Sequence, residues 1–121
     1  MINKTELGFG TCQLGGVNKI GNNHIGMGPQ KEKESLEALK TAYKKGIRLY
    51  DTADIYGSGK SEKLLGTIFR YVDDVIICSK VGNRVKNKKI TFDFSFNYVN
   101  ASVDKILNRI KKERLDILLV H

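Results

Sequence analysis

No apolar run in this sequence approaches the 18 or more residues that a membrane-spanning helix takes. Residues 1–6 also lack the apolar stretch of a secretory leader, so the expected setting is soluble and cytoplasmic, with no membrane partner. Cysteine is scarce: Cys12 and Cys78 are the two present, and they share no metal-ligand spacing, which argues against both a disulfide framework and a metal site. Cys78 closes the run Val75-Ile76-Ile77-Cys78, where a small thiol is expected to be buried. Proline occurs once, at Pro29. Acidic residues are outnumbered, 13 Asp and Glu against 21 Lys and Arg, giving a net charge of +8 that invites phosphate-bearing partners. The excess gathers at Lys80–Lys89 and at Lys105–Arg114, and the second cluster suits the negative pole of a helix dipole. Neither cluster interleaves aromatics as a recognition motif does, so no nucleic acid is expected as a partner. With 121 residues, 40% hydrophobic and 28% charged, the chain has the composition of one small folded domain over 1–121.

Short apolar runs alternate with longer segments of helical period, the pattern of βαβ units around a parallel sheet. Leu7-Gly8-Phe9-Gly10 reads as a first strand, followed by a freely bending loop that holds Gly15, Gly16, Gly21, Gly26, Gly28 and Pro29. Leu36, Leu39 and Tyr43 set a helix over Lys31 to Lys45, which Gly46 terminates. Ile47 to Tyr50 leads into Asp51 as strand two. Ser61 is a plausible N-cap for the next helix, with Glu62 in its first turn and Leu64, Leu65, Ile68 and Phe69 on its apolar face. Val75 to Cys78 is strand three, Tyr98 to Lys111 a third helix with Val99, Val103, Ile106 and Ile110 in one stripe, and Ile117 to Val120 strand four. A β/α barrel takes about 250 residues. The expected fold is therefore α/β: the first half of a TIM (β/α)8 barrel, about four parallel strands with three helices, cut short at His121.

The strand ends carry ionisable residues in series: Asp51 after strand two, Tyr56 in the following loop, Lys80 after strand three and His121 after strand four. Each one alone reads equally well as a solvated loop residue or a packing aromatic. In a parallel barrel, however, the carboxyl ends of the strands share one rim, and residues distant in sequence converge there. The set also makes chemical sense. A tyrosine hydroxyl with an ordinary pKa near 10 is a weak acid at neutral pH, and a cation within about 4–6 Å favours its ionised form. Lys80 supplies the cation, Asp51 holds Lys80, His121 hydrogen-bonds a substrate oxygen, and Tyr56 gives or takes the proton.

The run Asp51-Thr52-Ala53-Asp54-Ile55-Tyr56-Gly57, followed by Ser61-Glu62 and Leu65-Gly66, resembles the signature of the aldo-keto reductases. Leu7-Gly8-Phe9-Gly10-Thr11, Ser79-Lys80 and Leu118-Leu119-Val120-His121 resemble that family's first, third and fourth barrel strands, so the resemblance covers nearly the whole chain. It implies a catalytic tetrad of Asp51, Tyr56, Lys80 and His121, and cofactor contacts on the nicotinamide side from Gly10, Thr11 and Asp51. It implies NADPH as cofactor, with hydride transfer to an aldehyde or ketone while Tyr56 protonates the oxygen. Gly-Ser-Gly-Lys-Ser-Glu and Leu14-Gly15-Gly16 resemble the bacterial branch acting on sugars, pyridoxal and small aldehydes, so a small carbonyl or sugar-like substrate is implied. The family's remaining cofactor contacts come from strands five to eight.

Other readings compete. Gly59-Lys60-Ser61 stands where a phosphate-binding loop would be, but that pattern needs glycine at position 54, where Asp54 sits. Gly8-Phe9-Gly10 lacks the third glycine of a dinucleotide fingerprint. A catalytically silent half-barrel that forms a homodimer, or binds a partner, through exposed barrel edges is the alternative from another class.

Overall fold

The computed structural model describes residues 7–121; residues 1–6, read above for a leader, lie outside the described part. In chain order the elements are β1 (Gly8–Gly10), β2 (Asn18–Ile20), β3 (Asn23–Ile25), α1 (Glu32–Lys44), β4 (Leu49–Asp51), α2 (Lys60–Phe69), β5 (Ile76–Val81), β6 (Asn83–Lys86), β7 (Lys89–Phe92), α3 (Phe96–Ile110) and β8 (Ile117–Val120). Strands β1, β4, β5 and β8 form one parallel sheet in that order, and a helix joins each consecutive pair. Parallel neighbours need such crossovers, which is why the helical segments alternate with the strands. These are the four parallel strands and three helices that the alternation predicts. No helix among the described residues is long and apolar enough to cross a membrane.

The core lies between the helices and one face of the sheet. Tyr50 and Ile77 are register partners, and both are fully buried with Leu39, Leu65, Phe69, Ile106 and Ile110. Because side chains alternate along a strand, Asp51 and Cys78, the next register pair, stand on the opposite face. Cys78 is buried, as its apolar run predicts. Helices α2 and α3 meet at Gly66, where an added Cβ would run into the carbonyl of Arg109.

Several elements differ from the sequence reading. The glycine-rich loop contains the antiparallel pair β2–β3, and a second pair, β6–β7, turns at Asn87 and Lys88, both with positive φ. The two pairs meet where Gly21 lies against the Lys88 carbonyl, and Ile20, Ile25 and Ile90 pack with Ala53, Ile55 and Tyr56. Strand β5 runs on to Val81, so Lys80 belongs to the strand rather than following it. Ser61 is not the N-cap of α2: Gly59, at φ 89, occupies that place, and Ser61 turns inward and is fully buried. Glu62, in the first turn as read, is fully buried. Its carboxylate accepts from Ser79 Oγ at 2.6 Å and from Arg109 Nε at 2.6 Å, tying α2 to β5 and α3.

Candidate active site

The period of two along a strand decides which side chains share the rim. Asp51 ends β4 beside Cys78, and Lys80, two residues beyond Cys78, repeats its face. Lys80 in turn stands beside Leu119, and His121, two residues past Leu119, repeats that face. Tyr56 arrives from the turn after β4, backed by Ile90 and Ile25. The structure thus brings together all four residues that the sequence nominates, at the carboxyl ends of the strands.

The Lys80 ammonium donates to both carboxylate oxygens of Asp51, at 2.7 and 2.8 Å, and to the Thr52 carbonyl at 3.0 Å. It lies 5.2 Å from the centre of the Tyr56 ring. Burial pulls the Lys80 pKa down, but the hydrogen bond to Asp51 and the charges of Tyr56 and Asp51 outweigh it and leave the ammonium more firmly protonated than usual. The Tyr56 and His121 rings meet edge to face, 6.0 Å between centres and 89° between planes. The backbone amide of His121 donates to the Val81 carbonyl at 2.9 Å, while its buried Nδ1 has no partner. Burial first, and the Lys80 charge second, lower the His121 pKa against the pull of Asp51, so the imidazole stays neutral to lower pH. A neutral imidazole offers one N–H and one acceptor nitrogen.

The cofactor candidates divide. Gly10 is the register partner of Asp51, and a Cβ there would meet nothing within 4 Å, so open space adjoins the carboxylate at the rim. Thr11 is fully buried behind that rim. Its amide and hydroxyl both donate to the Asp51 carbonyl, at 2.9 and 2.8 Å, and its hydroxyl also receives Ser61 Oγ. Sequence reasoning missed Thr52, which carries the third acceptor of Lys80, and the inward roles of Ser61, Glu62 and Arg109. Ser and Glu at the start of a helix carry no sequence signal that separates capping from burial.

The family model of the aldo/keto reductases matches residues 6–121. This chain belongs to the aldo/keto reductase family. L-galactose dehydrogenase of Arabidopsis thaliana is 33% identical over 121 residues, covering 97% of this chain and 34% of that protein. Pyridoxal 4-dehydrogenase of Microbacterium luteolum is 27% identical, covering 97% of this chain and 39% of its own length. Among solved structures, the holo form of an aldo-keto reductase from Bacillus halodurans superposes with a TM-score of 0.76 at 28% identity, over 96% of this chain and 35% of that one. The chain therefore spans about a third of the length of the aldo-keto reductases it matches, and its sheet and helices have the fold of that part of their barrel.

Proposed function

We propose that this chain carries the proton-transfer site of an NADPH-dependent oxidoreductase that reduces a small aldehyde or sugar-like carbonyl to an alcohol. The observation that carries the reading is the gathering of Asp51, Tyr56, Lys80 and His121 on one face at the strand ends, with Lys80 fixed by three acceptors. The open space at Gly10 beside the Asp51 carboxylate fits a flat nicotinamide ring, and Gly10 and Asp51 would hold it, with Thr11 fixing Asp51 from behind. When bound, the nicotinamide supplies the hydride that goes to the carbonyl carbon.

The chain's own residues handle the oxygen. The neutral His121 imidazole orients it by a hydrogen bond, and its place edge-on to the Tyr56 ring at the same rim supports that role. Tyr56 gives its hydroxyl proton to the oxygen as negative charge develops there, and the Lys80 ammonium faces the phenolate left behind until solvent reprotonates it. Asp51 keeps Lys80 in place. Relatives named for L-galactose and for pyridoxal support a small polar carbonyl as substrate. The test is a fluorescence titration of the purified chain with NADPH, followed by NADPH oxidation over a panel of small aldehydes and aldoses. Saturable binding with turnover is expected; absence of both contradicts the reading.

A further inference from the structure

We propose that Ser61 is a positioning residue that holds the Asp51–Lys80 pair in register through a buried chain of three hydroxyls. The inference rests on the reading of Lys80 as a member of the site. Thr11, Thr52 and Ser61 come from three different parts of the chain, and all three are fully buried. Thr52 Oγ1 donates to Ser61 Oγ at 3.0 Å. Ser61 Oγ lies 2.6 Å from Thr11 Oγ1 and 3.0 Å from the Thr11 carbonyl, and Thr11 Oγ1 donates to the Asp51 carbonyl at 2.8 Å. Each hydroxyl has a single hydrogen, so the order Thr52 to Ser61 to Thr11 to Asp51 gives every donor an acceptor.

Both ends of this chain lie on the catalytic pair. Thr52, where it starts, gives its own carbonyl to the Lys80 ammonium at 3.0 Å, and Asp51, where it stops, gives Lys80 both carboxylate oxygens. Ser61 is the only link anchored in a helix: it is the second residue of α2, and the left-handed Gly59 before it turns the helix so that this side chain points into the sheet. Losing either side of the Thr52–Ser61 bond frees the backbone at 51–52 from its tether to α2, and removing the Ser61 oxygen also strands the Thr52 hydroxyl in a place without water. Lys80 then loses the geometry of its three acceptors. Helix α2 is thereby a rigid prop for a lysine whose hydrogen bonds all go to Asp51 and Thr52.

The readout is the Lys80 ammonium itself, followed by nitrogen-15 NMR as exchange of its protons with water near neutral pH, which needs no turnover. In the unmodified chain its three acceptors protect it. Ser61→Ala is expected to speed exchange roughly five- to tenfold, with the backbone spectrum showing a retained fold. Thr52→Val, which keeps shape and removes the first donor, is expected to do the same, and Thr52→Ser to restore protection; this pair decides the matter if Ser61→Ala does not fold. Unchanged Lys80 exchange in the folded alanine or valine variant, or equal behaviour of Thr52→Val and Thr52→Ser, overturns the proposal. A failed NADPH titration alongside an altered Lys80 signal would sink the functional reading and leave the positioning role standing.

Discussion

The Asp54 carboxyl is largely enclosed behind the Tyr56 turn, at a cleft of about 260 Å³ that Ile55, Asn83, Tyr98 and Arg109 also line. One of its oxygens is buried without a partner. Burial, and then the charge of Glu62, push its pKa up to about 6 against the pull of Arg109. A folded value above the ordinary one means that the fold binds this proton more tightly than the unfolded chain does. The stabilisation is therefore complete below about pH 4 and is lost as pH rises through about 6. Asp54→Asn should accordingly be more stable than the unmodified chain at about pH 8, by roughly 1 kcal/mol once solvent screening is allowed for. The gap should close near about pH 4. Urea unfolding at both pH values checks this, and a gap that ignores pH contradicts it. Asp51, Lys80 and His121 were legible in the sequence because ionisable residues followed recognisable apolar runs, and a period of two does the rest. Ser61 was misread because a surface rule for helix starts was applied to a helix that begins inside the molecule; Glu62 does stand in the first turn, and its burial against Ser79 and Arg109 had no sequence signal.

At the scale of elements, the contact between α2 and α3 depends on Gly66, where the helices approach too closely for any Cβ. Gly66→Ala gains helix propensity but drives a methyl into the Arg109 carbonyl, and the overpacking should cost about 1–3 kcal/mol. A thermal midpoint lowered by several degrees is the expected result; an unchanged or raised midpoint would show that the helices can separate freely. Breaking the buried Glu62–Arg109 pair at the same interface should cost more. Glu62→Gln leaves a guanidinium without its counter-charge, for a loss of roughly 3–5 kcal/mol measurable by urea unfolding. A loss below about 1 kcal/mol would place that pair in effect at the surface. The three helices and four sheet strands were readable because they alternate and carry apolar periods. The pairs β2–β3 and β6–β7 were not, since their strands are three or four residues long and mostly polar, so that even the two-residue Gly21-Asn22 turn had no alternating apolar flanks to mark it, and β6–β7 lacks an Asn-Gly turn. Asn87-Lys88 makes the turn instead, with positive φ at both residues.

Across the whole molecule, the net charge of +8 has a local account as well as a global one. Lys80 is drawn to Asp51, Arg84 to Asp93 and Arg109 to Glu62, so members of both basic clusters serve the fold rather than an outside polyanion. What remains is a sheet whose strand ends present an acid, a lysine, a tyrosine and a histidine to one rim, in a chain that spans about a third of its relatives' length. The most direct test of the central claim is the rate of NADPH oxidation with a small aldehyde, measured side by side for the unmodified chain and Tyr56→Phe. The account predicts a fall of about 10²–10⁴-fold in the phenylalanine variant with NADPH affinity retained. Equal turnover by the two proteins, or none by the unmodified chain, would contradict it.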